Sequence, residues 1–106
     1  MVFMYEELKE YVREDFERFY ALGFQEEQIL PSVLDEYKYG KDFCSTENLC
    51  IHIFLALNYL QRGLNTDVVA GHLRRLLAEE SEHLVKSDLR DEYPNYMTDL
   101  KEILRV

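Results

Sequence analysis

The stretch LCIHIFLALNYL at residues 49–60 constrains the fold most, because it is apolar at nearly every position. Ser45 or Thr46 can cap a helix before it and Gly63 can end one after it, so we predict a helix over residues 47–62. A helix that is apolar on every side must also be covered on every side. The stretch is shorter than the roughly 18 apolar residues that a membrane span needs. We therefore predict that this helix forms the centre of a helical bundle.

Four other segments have the apolar spacing of helices that could cover such a centre. They cover residues 3–22, 25–37 and about 66–86, followed by a terminal segment that starts near Pro94. Gly23 can end the first, Asn65 or Thr66 can cap the third, and Pro31 should either kink the second or delay its start. Gly71, inside the third, suggests a close helix contact. The predicted fold class is all-α, a compact bundle of four to five helices around an apolar central helix, with residues 1–106 as one domain.

Burial can be predicted from the same spacing. We expect a core that includes Phe16, Phe19, Leu34, Ile53, Phe54, Leu57 and Leu76. In the first segment the apolar side holds Tyr5, Leu8, Tyr11, Val12, Phe16, Phe19, Tyr20 and Leu22. Tyr37 and Tyr93 fit the core and the surface equally well, whereas we expect Tyr39 and Tyr96 to be exposed.

The charge of the chain is strongly negative and concentrated in its first part. The formal net charge is −9, and residues 1–60 hold 12 acidic and five basic residues. Such a charge opposes binding to nucleic acid or to an anionic membrane, and it favours a basic protein partner. The N-terminus has no basic-then-apolar signal pattern, so we expect a cytoplasmic protein.

Motifs that could carry chemistry are few. Glu80 and His83 have the ExxH spacing of carboxylate-bridged metal sites, but such a site needs a second ExxH motif, which the sequence lacks. Cys44, Cys50 and His52 could be imagined as a nucleophile with its base or as metal ligands, yet Cys50 on an apolar helix is typical of a core residue. In a reducing compartment both cysteines would remain thiols. We expect no catalytic residue, no metal and no cofactor, and hence no enzyme.

Two stretches in order, YEELKEYVREDFERFYALGFQEEQILPSVLDEY and the central LALNYLQRGLN, resemble a family of small all-helical immunity proteins from bacterial polymorphic-toxin systems. The match covers residues 5–64, and Asn58-Tyr59-Leu60 departs from the polar-then-Trp pattern of the family's central motif. The resemblance implies a binding protein without catalysis that neutralises a cognate toxin in the cytoplasm. Because such toxins are often basic nucleases, an acidic face could cover a cleft that is built for phosphates.

Charge and expected exposure, rather than the family motif, indicate the residues that would bind the partner. They are Glu6, Glu10, Glu14, Glu17, Asp35, Glu36, Tyr39 and Asp42. Without other information, acidic residues along a helix are more often simply a solvated face. The alternative function is an acidic helical adaptor or self-associating interaction module, which would use an apolar groove and carry its charge for solubility.

Overall fold

Helices make up nearly all of the chain that the computed structural model describes, residues 4–38 and 45–104. In chain order they are α1 (Tyr5–Ala21), α2 (Glu26–Lys38), α3 (Ser45–Gln61), α4 (Asp67–Glu79), α5 (Glu82–Leu89) and α6 (Tyr93–Leu104). A short 3₁₀ turn, Arg90–Glu92, joins α5 to α6. These described ranges contain no β-strand. The predicted all-α fold class is confirmed.

The apolar helix α3 lies at the centre and contacts all five of the other helices. Its buried residues run from Thr46 to Tyr59 with Asn48 as the one exception. Phe54 is fully buried, and its ring meets the edge of the Tyr5 ring on α1 at a centroid distance of 4.8 Å. The Cα radius of gyration of 13.1 Å is that of a compact folded chain of this length. The predicted central position of this helix is confirmed.

Most of the predicted core is present. Phe16, Ile53, Phe54 and Leu57 are buried, while Phe19, Leu34 and Leu76 are partly buried and pack against the core. Tyr11 and Tyr20 on α1 and Leu22 just after it, which share the apolar side of the first predicted segment, are nevertheless 51%, 37% and 68% exposed. The reason is that α1 buries only the narrow stripe formed by Tyr5, Leu8, Val12 and Phe16.

The helix ends follow the glycines more closely than the other signals. Gly23 and Gly63 both have positive φ, +88° and +70°, and each follows the end of a helix as predicted. Pro31 lies inside α2, which already begins at Glu26, so the predicted alternative of a later start is wrong. The close contact predicted for Gly71 is also wrong, because a Cβ atom there would meet nothing within 4 Å.

The predicted helix over residues 66–86 is in fact two helices. Glu80 has extended backbone angles, and the Ser81 hydroxyl accepts a hydrogen bond from the Leu84 amide at the start of α5. Because Glu80 is not helical, Glu80 and His83 do not share a helical face, and the ExxH interpretation loses its geometry. Before α4, the Asn65 Oδ1 atom accepts from the Asp67 amide at 2.8 Å, whereas Thr66, the N-cap residue, makes no side-chain capping hydrogen bond.

Two hydrogen-bonded links join helices that are distant in sequence, one between α3 and α5 and one between α1 and α6. Thr46 lies within α3 rather than capping it, and its buried hydroxyl donates to Asp88 on α5 at 2.6 Å. The Tyr5 hydroxyl on α1 donates to Asp99 on α6 at 2.7 Å, and Lys9 lies 3.0 Å from the same carboxylate oxygen. The second link connects α1 to α6.

The exposure predicted for Tyr96 is wrong, because this residue is only 3% exposed. Tyr96 is spaced four residues from Leu100 and seven from Ile103, so all three share the face of α6 that packs on the core. Tyr93 is partly buried against the same core.

Candidate protein-binding face

The acidic ridge, defined as Glu6, Glu10, Glu14 and Glu17, runs along the outer side of α1. Glu6, Glu10 and Glu14 are exposed, and the Glu17 side chain is 35% exposed. The helical period places these four residues opposite the stripe that α1 buries against α3. The ridge therefore faces solvent, and the core makes no use of its charge.

Arginines hold two of the ridge carboxylates. Arg13 forms an ion pair with Glu10, and Arg62 at the end of α3 forms one with Glu17. In each pair the hydrogen bond from the guanidinium lowers the pKa of the glutamate below its ordinary value. Arg62 also lies over the Tyr20 ring, 4.8 Å from its centroid. Glu14 has no hydrogen bond or ion pair with any described residue.

The residues predicted on α2 join this face only in part. Glu36 is exposed and forms an ion pair with Arg18 of α1, which places it beside the outer part of that helix. Asp35 is also exposed, but no contact joins it to the ridge within the described residues. Tyr39 and Asp42 lie outside the residues that the structure describes.

Asp15, at the junction of α1 and α2, is destabilised in its ionised form by burial and by a neighbouring negative charge. Its side chain is only 15% exposed, and its carboxylate lies 3.4 Å from the Arg18 guanidinium. Burial raises the pKa of Asp15, and the nearby negative charge of Glu36 raises it further. Both effects make the ionised form of Asp15 unfavourable in the folded protein.

A groove beside the ridge was not foreseen from the sequence. We call it the α1–α3 groove. It has a volume of about 280 Å³ and is lined by Glu6, Lys9, Glu10 and Arg13 from α1 and by Phe54, Leu57, Asn58 and Gln61 from α3. It forms where α1 packs across α3, and a contact between segments this distant in sequence leaves no local signal.

A second groove, between α5 and α6, has a different character. Its volume is about 170 Å³, and its lining is largely apolar: Leu77, Val85, Tyr93, Tyr96, Met97 and Leu100, with Glu80 and Glu82. The Tyr93 hydroxyl donates to Glu82 at 2.7 Å.

Cys50 and His52, which were considered for catalysis or metal binding, lie apart from these two grooves, whereas Glu80 lines the α5–α6 groove. Cys50 is buried in the core as predicted, whereas Cys44 falls outside the described residues. His52 is also buried, with its Nδ1 atom 2.8 Å from the carbonyl oxygen of Asn48, and its ring centroid lies 6.0 Å from that of His72. Across residues 4–38 and 45–104, no three His, Cys, Asp or Glu side chains are arranged to hold a metal ion.

The described surface thus offers charge, exposed aromatic rings and several grooves, among them the two described above. None of the described helices combines the length and the apolar character needed to cross a membrane. A scan against known protein-family models gives no match to this chain, and neither curated proteins nor solved structures give one.

Proposed function

We propose that this chain is an immunity protein, which binds and neutralises a cognate, basic bacterial toxin domain in the cytoplasm without catalysing a reaction. The observation that carries this proposal is the position of the acidic ridge, exposed to solvent and opposite the buried stripe of α1. Two of these charges, on Glu10 and Glu17, are held in exposed ion pairs, which usually add little to stability, and the other two form no ion pair with a described residue. A basic partner would give them a use.

The ion pairs fit such a role. A carboxylate has about four acceptor sites, so Glu10 and Glu17 can keep their arginines and still accept hydrogen bonds from a partner. The arginines meanwhile fix the position of the carboxylates before binding, which lowers the entropy lost in the complex. Exposed charge of this kind acts mainly by steering the encounter, and so it raises the association rate.

Binding kinetics at two salt concentrations test the proposal. The measurement is surface plasmon resonance with the cognate basic toxin domain that this proposal requires. We expect the Glu10→Lys/Glu14→Lys variant to associate much more slowly than wild type, with a smaller change in dissociation. The association of wild type should also slow as salt rises, because exposed charges are screened over about 8 to 10 Å at ordinary ionic strength.

The matched control is Glu79→Lys/Glu102→Lys, which changes the net charge equally on α4 and α6. Both glutamates are exposed and form no hydrogen bond or ion pair with another described residue, whereas Glu82 would be a poor control because it accepts from Tyr93. Equal, salt-independent association rates for wild type and the ridge variant would exclude the ridge as the binding face. Failure of the two proteins to co-elute after co-expression would contradict the immunity function itself.

One observation favours the alternative function, a self-associating helical module. The α5–α6 groove is largely apolar, and an apolar groove on a surface often marks a protein contact. For this alternative the occupant would be a second copy of the chain. Light scattering after size exclusion should then show a dimer that Met97→Glu dissociates, whereas a monomer at all concentrations would contradict it.

A further inference from the structure

We infer that the end of the bundle where α1 and α3 terminate is a docking surface for the partner, and that it takes an aliphatic side chain flanked by basic residues. We call this surface the apolar end and define it as Tyr20, Leu22, Leu60 and Val68. The inference rests on the proposed function for the identity of the partner. It adds a source of binding energy to the charges of the acidic ridge.

Two turns of the same kind lie side by side at this end. Gly23 follows α1 and Gly63 follows α3, and both have positive φ. The Tyr59 hydroxyl at the end of α3 donates to the Glu26 carbonyl oxygen at the start of α2, at 2.6 Å. The Glu26 carboxylate accepts from the backbone amide of Asn65 at 2.8 Å. The ends of α1 and α3 and the starts of α2 and α4 therefore meet at one end of the bundle.

Exposed apolar side chains are concentrated at these two turns. Among the described residues seven large hydrophobic side chains are exposed, and four of them form the apolar end. Each of the four lies next to the first or last residue of a helix at the two turns. Leu22 and Val68 are the most open of them, at 68% and 58%. Single exposed apolar residues are common on any surface, whereas a cluster with a polar rim marks a protein-binding site.

Arg62 connects the apolar end to the acidic ridge. Its guanidinium lies 4.8 Å from the centroid of the Tyr20 ring and forms the ion pair with Glu17, the last residue of the ridge. Tyrosine and arginine are residue types that often contribute much of the binding energy of an interface. The ridge and the apolar end thus adjoin, so that charge can steer the partner and apolar burial can hold it.

The charges at the apolar end select the chemistry of the occupant. A cavity of about 120 Å³ there is lined by Glu26, Glu27, Tyr59, Asn65 and Val68, and so by two carboxylates and no cation. An apolar cavity of about 150 Å³ can hold benzene, so this cavity has room for one aliphatic side chain. The two carboxylates would repel an acidic neighbour of that side chain and attract a basic one. An aliphatic side chain with lysine or arginine beside it is therefore the complementary group.

The experiment uses the full chain and three short peptides as probes. The first is acetyl-Lys-Leu-Leu-Lys-Leu-Leu-Lys-amide. In the second peptide glutamate replaces every lysine, and in the third serine replaces every leucine. Each peptide is titrated into ¹⁵N-labelled protein, and the backbone amide signals are followed by NMR. We expect the leucine–lysine peptide to shift the signals of Gly23, Gly63 and Val68 saturably, and the other two peptides to produce little change.

The variant Leu22→Ser/Val68→Ser should weaken binding of the leucine–lysine peptide about tenfold, because two apolar contacts are lost. Both positions are exposed, so the variant should keep the circular dichroism spectrum of wild type. The matched control is Met4→Ser/Leu84→Ser, which removes two exposed apolar side chains away from the two turns and should have little effect. Glu27→Lys is a second variant that leaves the apolar residues in place, and its positive charge should also weaken binding.

Three outcomes would overturn the inference: equal binding of the serine peptide, shifts centred on the ridge or on the α5–α6 groove, or unchanged binding in both variants. The titration contains no toxin, so these outcomes would leave the immunity function standing. With the toxin domain, Leu22→Ser/Val68→Ser should dissociate faster at a nearly unchanged association rate, the reverse of Glu10→Lys/Glu14→Lys. Peptide binding without toxin binding would support the docking surface and contradict that function.

Discussion

Helices α1 and α3 contain 17 residues each, but α3 buries most of its side chains whereas α1 buries only a few. Burial on α3 is almost continuous from Thr46 to Tyr59, whereas α1 buries one narrow stripe and turns its charged side to solvent. The two helices pack directly on each other, with Tyr5 against Phe54 and Phe16 against Tyr59. The interface between α1 and α3 therefore joins the most apolar of the described helices to one of the most acidic.

This difference separates the residues that hold the fold from those that are available for binding. On α3 nearly every side chain contributes apolar burial, which is the dominant favourable term in folding. On the outer side of α1, substitutions should leave the core intact and alter only how the protein meets a partner. Four predictions test this separation, in order of decreasing effect on stability.

The largest effect is expected for Phe54→Ala on α3. Removing a fully buried phenylalanine leaves a cavity and should lower the free energy of unfolding by about 3 to 5 kcal/mol. That is a large part of the roughly 5 to 15 kcal/mol that stabilises a typical domain. Urea denaturation followed by circular dichroism measures it. Tyr11→Ala is the control, because Tyr11 is 51% exposed and its loss should matter far less. Equal denaturation midpoints for wild type and Phe54→Ala would refute the central position of α3.

A smaller loss is expected for Tyr5→Phe, which keeps the buried ring but removes its hydroxyl. That hydroxyl donates to the Asp99 carboxylate, itself only 8% exposed, so the loss leaves a buried charge with one hydrogen bond fewer. We expect a destabilisation of about 1 to 3 kcal/mol in urea denaturation. Tyr11→Phe is the matched control, since the Tyr11 hydroxyl bonds Glu7 on the exposed side of α1. If both variants lost the same stability, the buried hydrogen bond between Tyr5 and Asp99 would stabilise the fold no more than an exposed one.

The features of the fold that depend on a local sequence pattern could be predicted from the sequence. A run of apolar residues as long as LCIHIFLALNYL can be satisfied only by complete burial, so α3 and Phe54 were predictable. Tyr96 was predictable too, because it shares the spacing of Leu100 and Ile103, although its place near a helix start favoured a surface position. The break between α4 and α5 also had a local signal, since Ser81 is a favoured N-cap residue.

What the sequence could not predict depends on how distant segments meet. Arg62 reaches Glu17 across 45 positions and Arg18 reaches Glu36 across 18, and neither pair follows from helical spacing. The α1–α3 groove likewise depends on the packing of two helices, so its lining leaves no local signal in the sequence. The candidate face was therefore predicted in its charge but not in its ion pairs or its shape.

A small gain in stability is expected for Asp15→Asn, because Asp15 lies between the buried stripe and the exposed side of α1. Burial and Glu36 raise the pKa of Asp15 above its ordinary value, so the folded protein binds the proton more tightly than the unfolded chain. Ionised Asp15 therefore destabilises the fold at neutral pH, and wild type should gain stability as the pH falls through the raised pKa. Asp15→Asn should be the more stable protein at pH 7, and its advantage should shrink toward pH 4. Thermal melts at both pH values measure this difference. A variant less stable than wild type at pH 7 would show that the ion pair of Asp15 with Arg18 outweighs the cost of burying its charge.

The smallest effect on stability is expected on the acidic ridge itself, for Glu14→Lys. Glu14 is exposed and makes no hydrogen bond or ion pair with a described residue, so its replacement removes no contact of the fold. Surface substitutions of this kind usually change the free energy of unfolding by no more than about 0.5 kcal/mol. The change should even remove repulsion, because Glu10 and Glu17 flank Glu14 on the same side of α1. Urea denaturation should therefore give nearly the same midpoint as wild type, while association with the toxin domain slows. A loss of stability as large as that of Tyr5→Phe would show that the ridge supports the fold. The distinction between binding residues on the outer side of α1 and fold-stabilising residues on α3 would then be wrong at Glu14, where it should be clearest.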